Sequence, residues 1–227
     1  MHYACLIGYY RIVDTLIKLG ADINAKDING DTPILLAGIG DQYEIFDRLL
    51  EVGADINVVN KTGTTLMHVV CKLSEYQECL ITKILKLGPN INVKYSKGMA
   101  PIHLTIGRID DNMFMFNTLI ESGRVDINVK DNDGATLVHH ACHRGNLQIL
   151  DRFVEQGLDL NVRDNEGNTP LHYARKNDWI SYKIVQRLIE LGADINVKDN
   201  AGKTIFHWAC KKGYMDFLNR LVERGCQ

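Results

Sequence analysis

Residues 136–145 read TLVHHACHRG, placing His139, His140 and His143 around Cys142. His139 and His143 stand four apart, a spacing that brings two imidazoles to one face of a helix. Cys142 beside them adds a sulfur, and zinc is held by such nitrogen and sulfur sets. The chemistry on offer is a zinc site at His139, Cys142 and His143. Whether these residues meet a metal depends on the elements that carry them.

Composition narrows the classes. The formal net charge of the 227 residues is −2, which gives no reason to expect nucleic acid or an anionic membrane as a partner. No run approaches the roughly 18 apolar residues that mark a membrane helix. The opening MHYACLIGYYRIVD lacks a basic region ahead of a cleavable apolar core, so it does not read as a secretion signal. Six cysteines in this length do not make a disulfide-stapled secreted domain. The expected location is intracellular, cytoplasmic or nuclear.

The elements repeat. A glycine recurs at Gly30, Gly63, Gly98, Gly134, Gly167 and Gly202, in steps of 33, 35, 36, 33 and 35. An Asp-Ile-Asn triplet or close variant ends at Asn24, Asn57, Asn92, Asn128, Asn161 and Asn196 with the same steps. Two landmarks sharing one irregular rhythm define units of about 1–24, 25–57, 58–92, 93–128, 129–161, 162–196 and 197–227. In the sixth unit Gly167 suits a turn with positive φ, Thr169 stands as N-cap and Pro170 as first helical residue. A short helix A follows, then a helix B with apolar pairs at Ile184/Val185 and Leu188/Ile189, closed by Gly192. The paired pattern appears in all seven units, from Ile12/Val13 with Leu16/Ile17 to Phe217/Leu218 with Leu221/Val222. A single helix pair cannot bury such a stripe, so the units must stack.

NTPLHYA at 168–174 and ELGADINVKDNAGKT at 190–204 resemble the ankyrin repeat family, in register over the whole chain. The resemblance implies an all-α repeat solenoid of about seven stacked units, each a helix–turn–helix with a projecting β-hairpin loop. The first and last units are expected to be truncated, because Met1 occupies the leucine slot and the chain stops at ERGCQ. The chain is thus expected to be a fragment of a longer array.

The units differ in instructive places. From the helix A alanine slot to the helix B glycine the spacing is 18 in three units and 16 in four. The additions fall in SEYQE, IDDN and NDWISY and are read as lengthened loops; drift is the plainer reading, while Trp179 and Tyr182, as large aromatics in a loop, call for either a core or a partner. The fourth unit has Ala100 where threonine caps elsewhere, and residues 95–125 are expected to be the least stable part.

The same periodicity reinterprets the histidines. His2, His68, His103, His139, His172 and His207 all occupy one slot, which the second unit fills with Leu35. In the family this imidazole ties adjacent loops, and the resemblance gives these six the same role. Cys5, Cys71, Cys142 and Cys210 share a small buried slot. Phosphate loops, nucleophile elbows and His-Glu-x-x-His are absent from the sequence, so neither catalysis nor a cofactor is expected.

The position after the repeated histidine varies while its neighbours do not: Tyr3, Leu36, Val69, Leu104, His140, Tyr173 and Trp208. The resemblance places this column on the inner face of helix A, lining a concave groove, although the same side chains could simply pack between units. Trp and Tyr dominate interface hot spots, which favours binding at the later positions. A second variable column sits at the loop tips, at Asn29, Asp31, Lys61, Lys97, Met99, Asp133, Glu166 and Lys203. The resemblance also makes Asn24, Asn57 and Asn196, each with a leucine eight residues upstream, candidates for asparaginyl hydroxylation. The function expected is protein binding without chemistry, by a monomer or part of a longer chain. The alternatives are the targeting segment of a bacterial or viral effector or toxin acting in a host cytosol, and the zinc site.

Overall fold

A computed structural model describes residues 1–73, 78–107, 113–174 and 178–223, apart from the side chains at 78, 79, 178–182, 212, 216, 217 and 220. Their helices come in consecutive pairs: α1 (His2–Ile7) with α2 (Tyr10–Lys18), α3 (Pro33–Ile39) with α4 (Tyr43–Glu51), and α5 (Leu66–Val70) with α6 (Glu78–Lys86). Next come α7 (Pro101–Thr105) with α8 (Met113–Glu121), and α9 (Leu137–Arg144) with α10 (Leu147–Glu155). The last pairs are α11 (Pro170–Tyr173) with α12 (Asp178–Glu190), and α13 (Ile205–Lys212) with α14 (Met215–Glu223). The chain forms two compact units, Met1–Thr105 with Met113–Asp126, and Ile106–Asn112 with Ile127–Gln227.

The second helices of the middle pairs bury most of the apolar stripe read from the sequence, whereas Ile12 of α2 and Val222 of α14 are exposed. Ile45, Phe46 and Leu49 are buried in α4, Ile149, Leu150 and Phe153 in α10, and Ile184, Val185 and Leu188 in α12. Each such side chain removed from water contributes about 1.5–3 kcal/mol. The first helix starts where a threonine in extended conformation precedes it, as at Thr32, Thr65, Thr136, Thr169 and Thr204.

The expected β-hairpin loops are not there. Among the described residues strand pairing amounts to two isolated antiparallel bridges, Val59 with Thr65 and Lys130 with Thr136. A side-chain oxygen takes the amides that a strand ladder would use. Asp131 Oδ1 accepts from the amides of Asp133 and Ala135, Asp164 Oδ1 from Glu166 and Asn168, and Asn60 Oδ1 from Thr62 and Thr64. These connections are therefore tight side-chain-closed turns that run straight into the next helix, the turn at Tyr95 excepted. Gly63 shows why the turn needs glycine: its φ is +83°, and a Cβ there would lie 2.8 Å from Tyr95 Cα of the following turn.

The lengthened sixth unit is also corrected. Its added residues fall in α12, which runs 13 residues against nine in α10, so Trp179 and Tyr182 belong to a helix rather than a loop. The other two additions, around 74–78 and 109–112, lie at or outside the limits of the described residues.

Within each compact unit three columns of polar contacts join neighbours. Asn24 Oδ1 accepts from the Asp55 amide at 2.9 Å, Asn57 Oδ1 from Asn90 at 3.0 Å, and Asn161 Oδ1 from Asp194 at 2.8 Å. Turn carbonyls accept from the next turn, Asn29 from the Lys61 amide and Glu166 from Asn200. On the second helices Asp14 meets Arg48, Asp47 meets Lys83 and Asp151 meets Arg187, at 3.2, 2.7 and 2.7 Å.

Candidate docking surface

The repeated histidine is a structural tie. His139 Nδ1 accepts from the Thr136 amide at 3.1 Å and lies 2.9 Å from the Thr136 hydroxyl, while Nε2 stands 3.1 Å from the Asn168 carbonyl. A carbonyl accepts only, so Nε2 carries the proton and Nδ1 is the acceptor. His68 makes the same contacts with Thr65 and Met99, and His172 with Thr169 and Lys203. Burial holds His68 and His139 below the ordinary imidazole pKa, against the opposing pull of those carbonyl bonds. His103 keeps the bond to the Ala100 amide, but Ala100 offers no hydroxyl. Where Leu35 replaces the histidine, Thr32 Oγ is buried without a hydrogen-bond partner.

These ties dissolve the apparent zinc site. His139 already uses both ring nitrogens and is fully buried. Cys142 is buried with its thiol pKa raised by desolvation. His143 lies edge-on to Tyr173, with ring centroids 6.2 Å apart. Among the described residues no group of three or more His, Cys, Asp or Glu side chains is placed to hold a metal ion. Burial likewise pushes the Cys5 thiol up to about 11 and that of Cys71 to about 12, as fits inert core positions.

The variable column divides by exposure. Tyr3 is 69% exposed; Leu36, Leu104, His140, Tyr173 and Trp208 are half-buried; Val69 is buried at 4%. Val69 helps to line an open cleft of about 360 Å³ with Gly38, Ile39, Asn60, Thr64 and Lys72. Two members are tied to the aspartate nine residues upstream, a link the sequence reading missed. His140 Nε2 meets Asp131 Oδ2 at 2.8 Å, and the Tyr173 hydroxyl donates to Asp164 Oδ2 at 2.9 Å. Burial and this bond raise the Tyr173 pKa. The Asp164 pKa is lowered: desolvation opposes this, but the bonds from Asn168, Tyr173 and the turn amides prevail. The sequence carries only a partial signal: the turns with Asn60 and Tyr95 in place of that aspartate carry apolar Val69 and Leu104, but Asp27 is followed by Leu36.

The tip column is also mixed. Asn29, Lys61, Lys97, Asp133, Glu166 and Lys203 are exposed. Asp31 is buried and accepts from Asn60 Nδ2 at 2.7 Å, so it serves the turn. Met99 is half-buried, its carbonyl taken by His68. Asn24, Asn57 and Asn196 are exposed, with the Asn24 and Asn57 carboxamides engaged by the next unit.

Family models described as ankyrin repeats match residues 1–95 and 102–199, and a further one matches 181–222. The chain belongs to the ankyrin repeat family. Among curated relatives, this ankyrin array is 33% identical to alpha-latrotoxin-Lh1a of Latrodectus hasselti over 98 residues, covering 43% of the chain and 7% of that protein. It is 27% identical to transient receptor potential cation channel subfamily A member 1 of Homo sapiens over 147 residues, covering 64% of the chain and 10% of the channel. The ankyrin stretch thus spans a small part of the length of each relative. No helix among its described residues is long and apolar enough to cross a membrane.

Proposed function

We propose that the chain is a non-catalytic docking scaffold that holds a partner protein against the inner faces of its first helices and the tips of its turns. The observation that carries this reading is the column Tyr3, Leu36, Leu104, His140, Tyr173 and Trp208. Its side chains keep partial or full exposure and change identity, while the residue before them is a histidine in six of the seven units, buried at His68, His103, His139 and His172. Packing alone gives no reason for one position to vary beside a nearly constant one. Aromatic side chains at half-exposed, pre-positioned sites are the usual anchors of a protein interface.

Affinity capture tests the reading. The wild-type chain recovers a partner that the Tyr173→Ala/Trp208→Ala variant, with unchanged circular dichroism, recovers poorly. Equal recovery by both removes this end of the inner face from the interface. A second reading, that the array is the targeting part of a larger effector or toxin, is favoured by the small share of each relative that the match covers. The sequence flanking the chain tests it.

A further inference from the structure

The first compact unit carries an apolar patch that runs into a basic one. Tyr3 and Ile7, four apart on α1, are 69% and 45% exposed, and Ile39 on the neighbouring α3 is 51% exposed. Tyr9 packs beside Tyr3 with ring centroids 6.5 Å apart and is itself exposed. Soluble proteins expose contiguous apolar side chains of this size mainly where something docks. Ile39 also lines the 360 Å³ cleft, as does Lys72. The patch and the cleft are thus continuous.

Beyond the cleft the charge is one-sided. Lys72 Nζ stands 5.9 Å over the Tyr95 ring, which brings it to the turn that carries Lys94 and Lys97. The preceding turn, joined to that one by the Ser96 amide on the Thr62 carbonyl, carries Lys61. All four lysines are exposed. The turns at 58–65 and 93–100 contain no Asp or Glu, because Asn60 and Tyr95 replace the aspartate present at 27, 131, 164 and 199. Asp41 is the carboxylate among the cleft residues, and the Asp31 carboxylate against Asn60 is buried.

We propose that this surface docks an acidic peptide segment of a partner protein, with apolar residues seated along Tyr3, Ile7 and Ile39 and carboxylates directed to Lys61, Lys72, Lys94 and Lys97. This rests on the docking reading above and gives it a partner chemistry. Charge complementarity orients the peptide, apolar end toward α1 and acidic end toward the fourth turn.

Two fluorescein-labelled peptides of 14 residues test it, one with paired leucines followed by four glutamates, the other with lysines in place of the glutamates. The full chain is expected to bind the glutamate peptide at least tenfold more tightly, by fluorescence polarisation at low salt. Lys72→Glu/Lys97→Glu reverses the order, Ile7→Ser/Ile39→Ser weakens both, and Lys130→Glu/Lys198→Glu changes neither. Equal binding of the two peptides, binding of neither, or preference for the glutamate peptide that survives Lys72→Glu/Lys97→Glu overturns the proposal. So does lysine-dependent binding of single-stranded RNA or phosphatidylserine vesicles without peptide binding. If the peptides fail while capture still depends on Tyr173 and Trp208, this inference falls and the docking reading stands.

Discussion

At the scale of single residues, the histidine slot decides both stability and the fate of the metal idea. TLVHHACHRG presents four potential ligands, yet His139 is closed by Thr136 on one side and Asn168 on the other. The slot was legible because it recurs; the His140–Asp131 and Tyr173–Asp164 links were not read, since they join positions that each vary. The one unit without the histidine offers a direct gain. Leu35→His gives Thr32 Oγ a partner, and a satisfied buried hydrogen bond is worth about 1 kcal/mol. Urea denaturation is expected to show that increase, and an unchanged or lower midpoint contradicts the role given to the slot. The lowered pKa of His68 and His139 also fixes a pH dependence. The unfolded chain binds these protons near pH 6.5 and the native chain only at lower pH, so acid favours unfolding. Thermal melts should show full stability above about pH 7 and progressive loss below about 6.5. Stability that is flat or rising from pH 7 to 5.5 contradicts this.

At the scale of elements, periodicity in the sequence located the helix pairs and their buried stripes, because burial of one face dictates that period. It did not reveal how the turns close. The resemblance suggested β-hairpins, whereas Asp131, Asp164 and Asn60 cap their turns with side-chain oxygens and leave no ladder. The lengthened sixth unit was read as a loop because its aromatic residues were taken for loop residues, when the extra length continues α12. The fourth unit lacks two ties at once: the Tyr95 hydroxyl donates to Met99 Sδ rather than capping turn amides, and Ala100 offers no hydroxyl to His103. Hydrogen exchange is expected to be fastest among helical amides in α7 and α8, ahead of α9 and α10. Equal protection argues against that ordering. On the second helices, the Asp151–Arg187 pair is about 40% exposed on both sides, so a double-mutant cycle should return a weak coupling that added salt screens away. A strong coupling that persists at high salt would show a buried pair instead.

At the scale of the whole molecule, buried repetition and exposed variation are separated. Histidines, small helix A residues and turn glycines build a recurring frame, broken at Leu35 and Ala100, and the column beside the histidine changes from Tyr3 to Trp208. His139 and Cys142, the strongest candidates for chemistry in the sequence, are committed to that frame. The docking claim is tested most directly by amide hydrogen exchange on the chain with and without its captured partner. Protection is expected in α1, α3, α9, α11 and α13 and in the turns at 27–31, 60–64, 95–99, 131–135 and 164–168. Protection confined to α2, α4, α10 and α12, with those turns unchanged, would contradict the account.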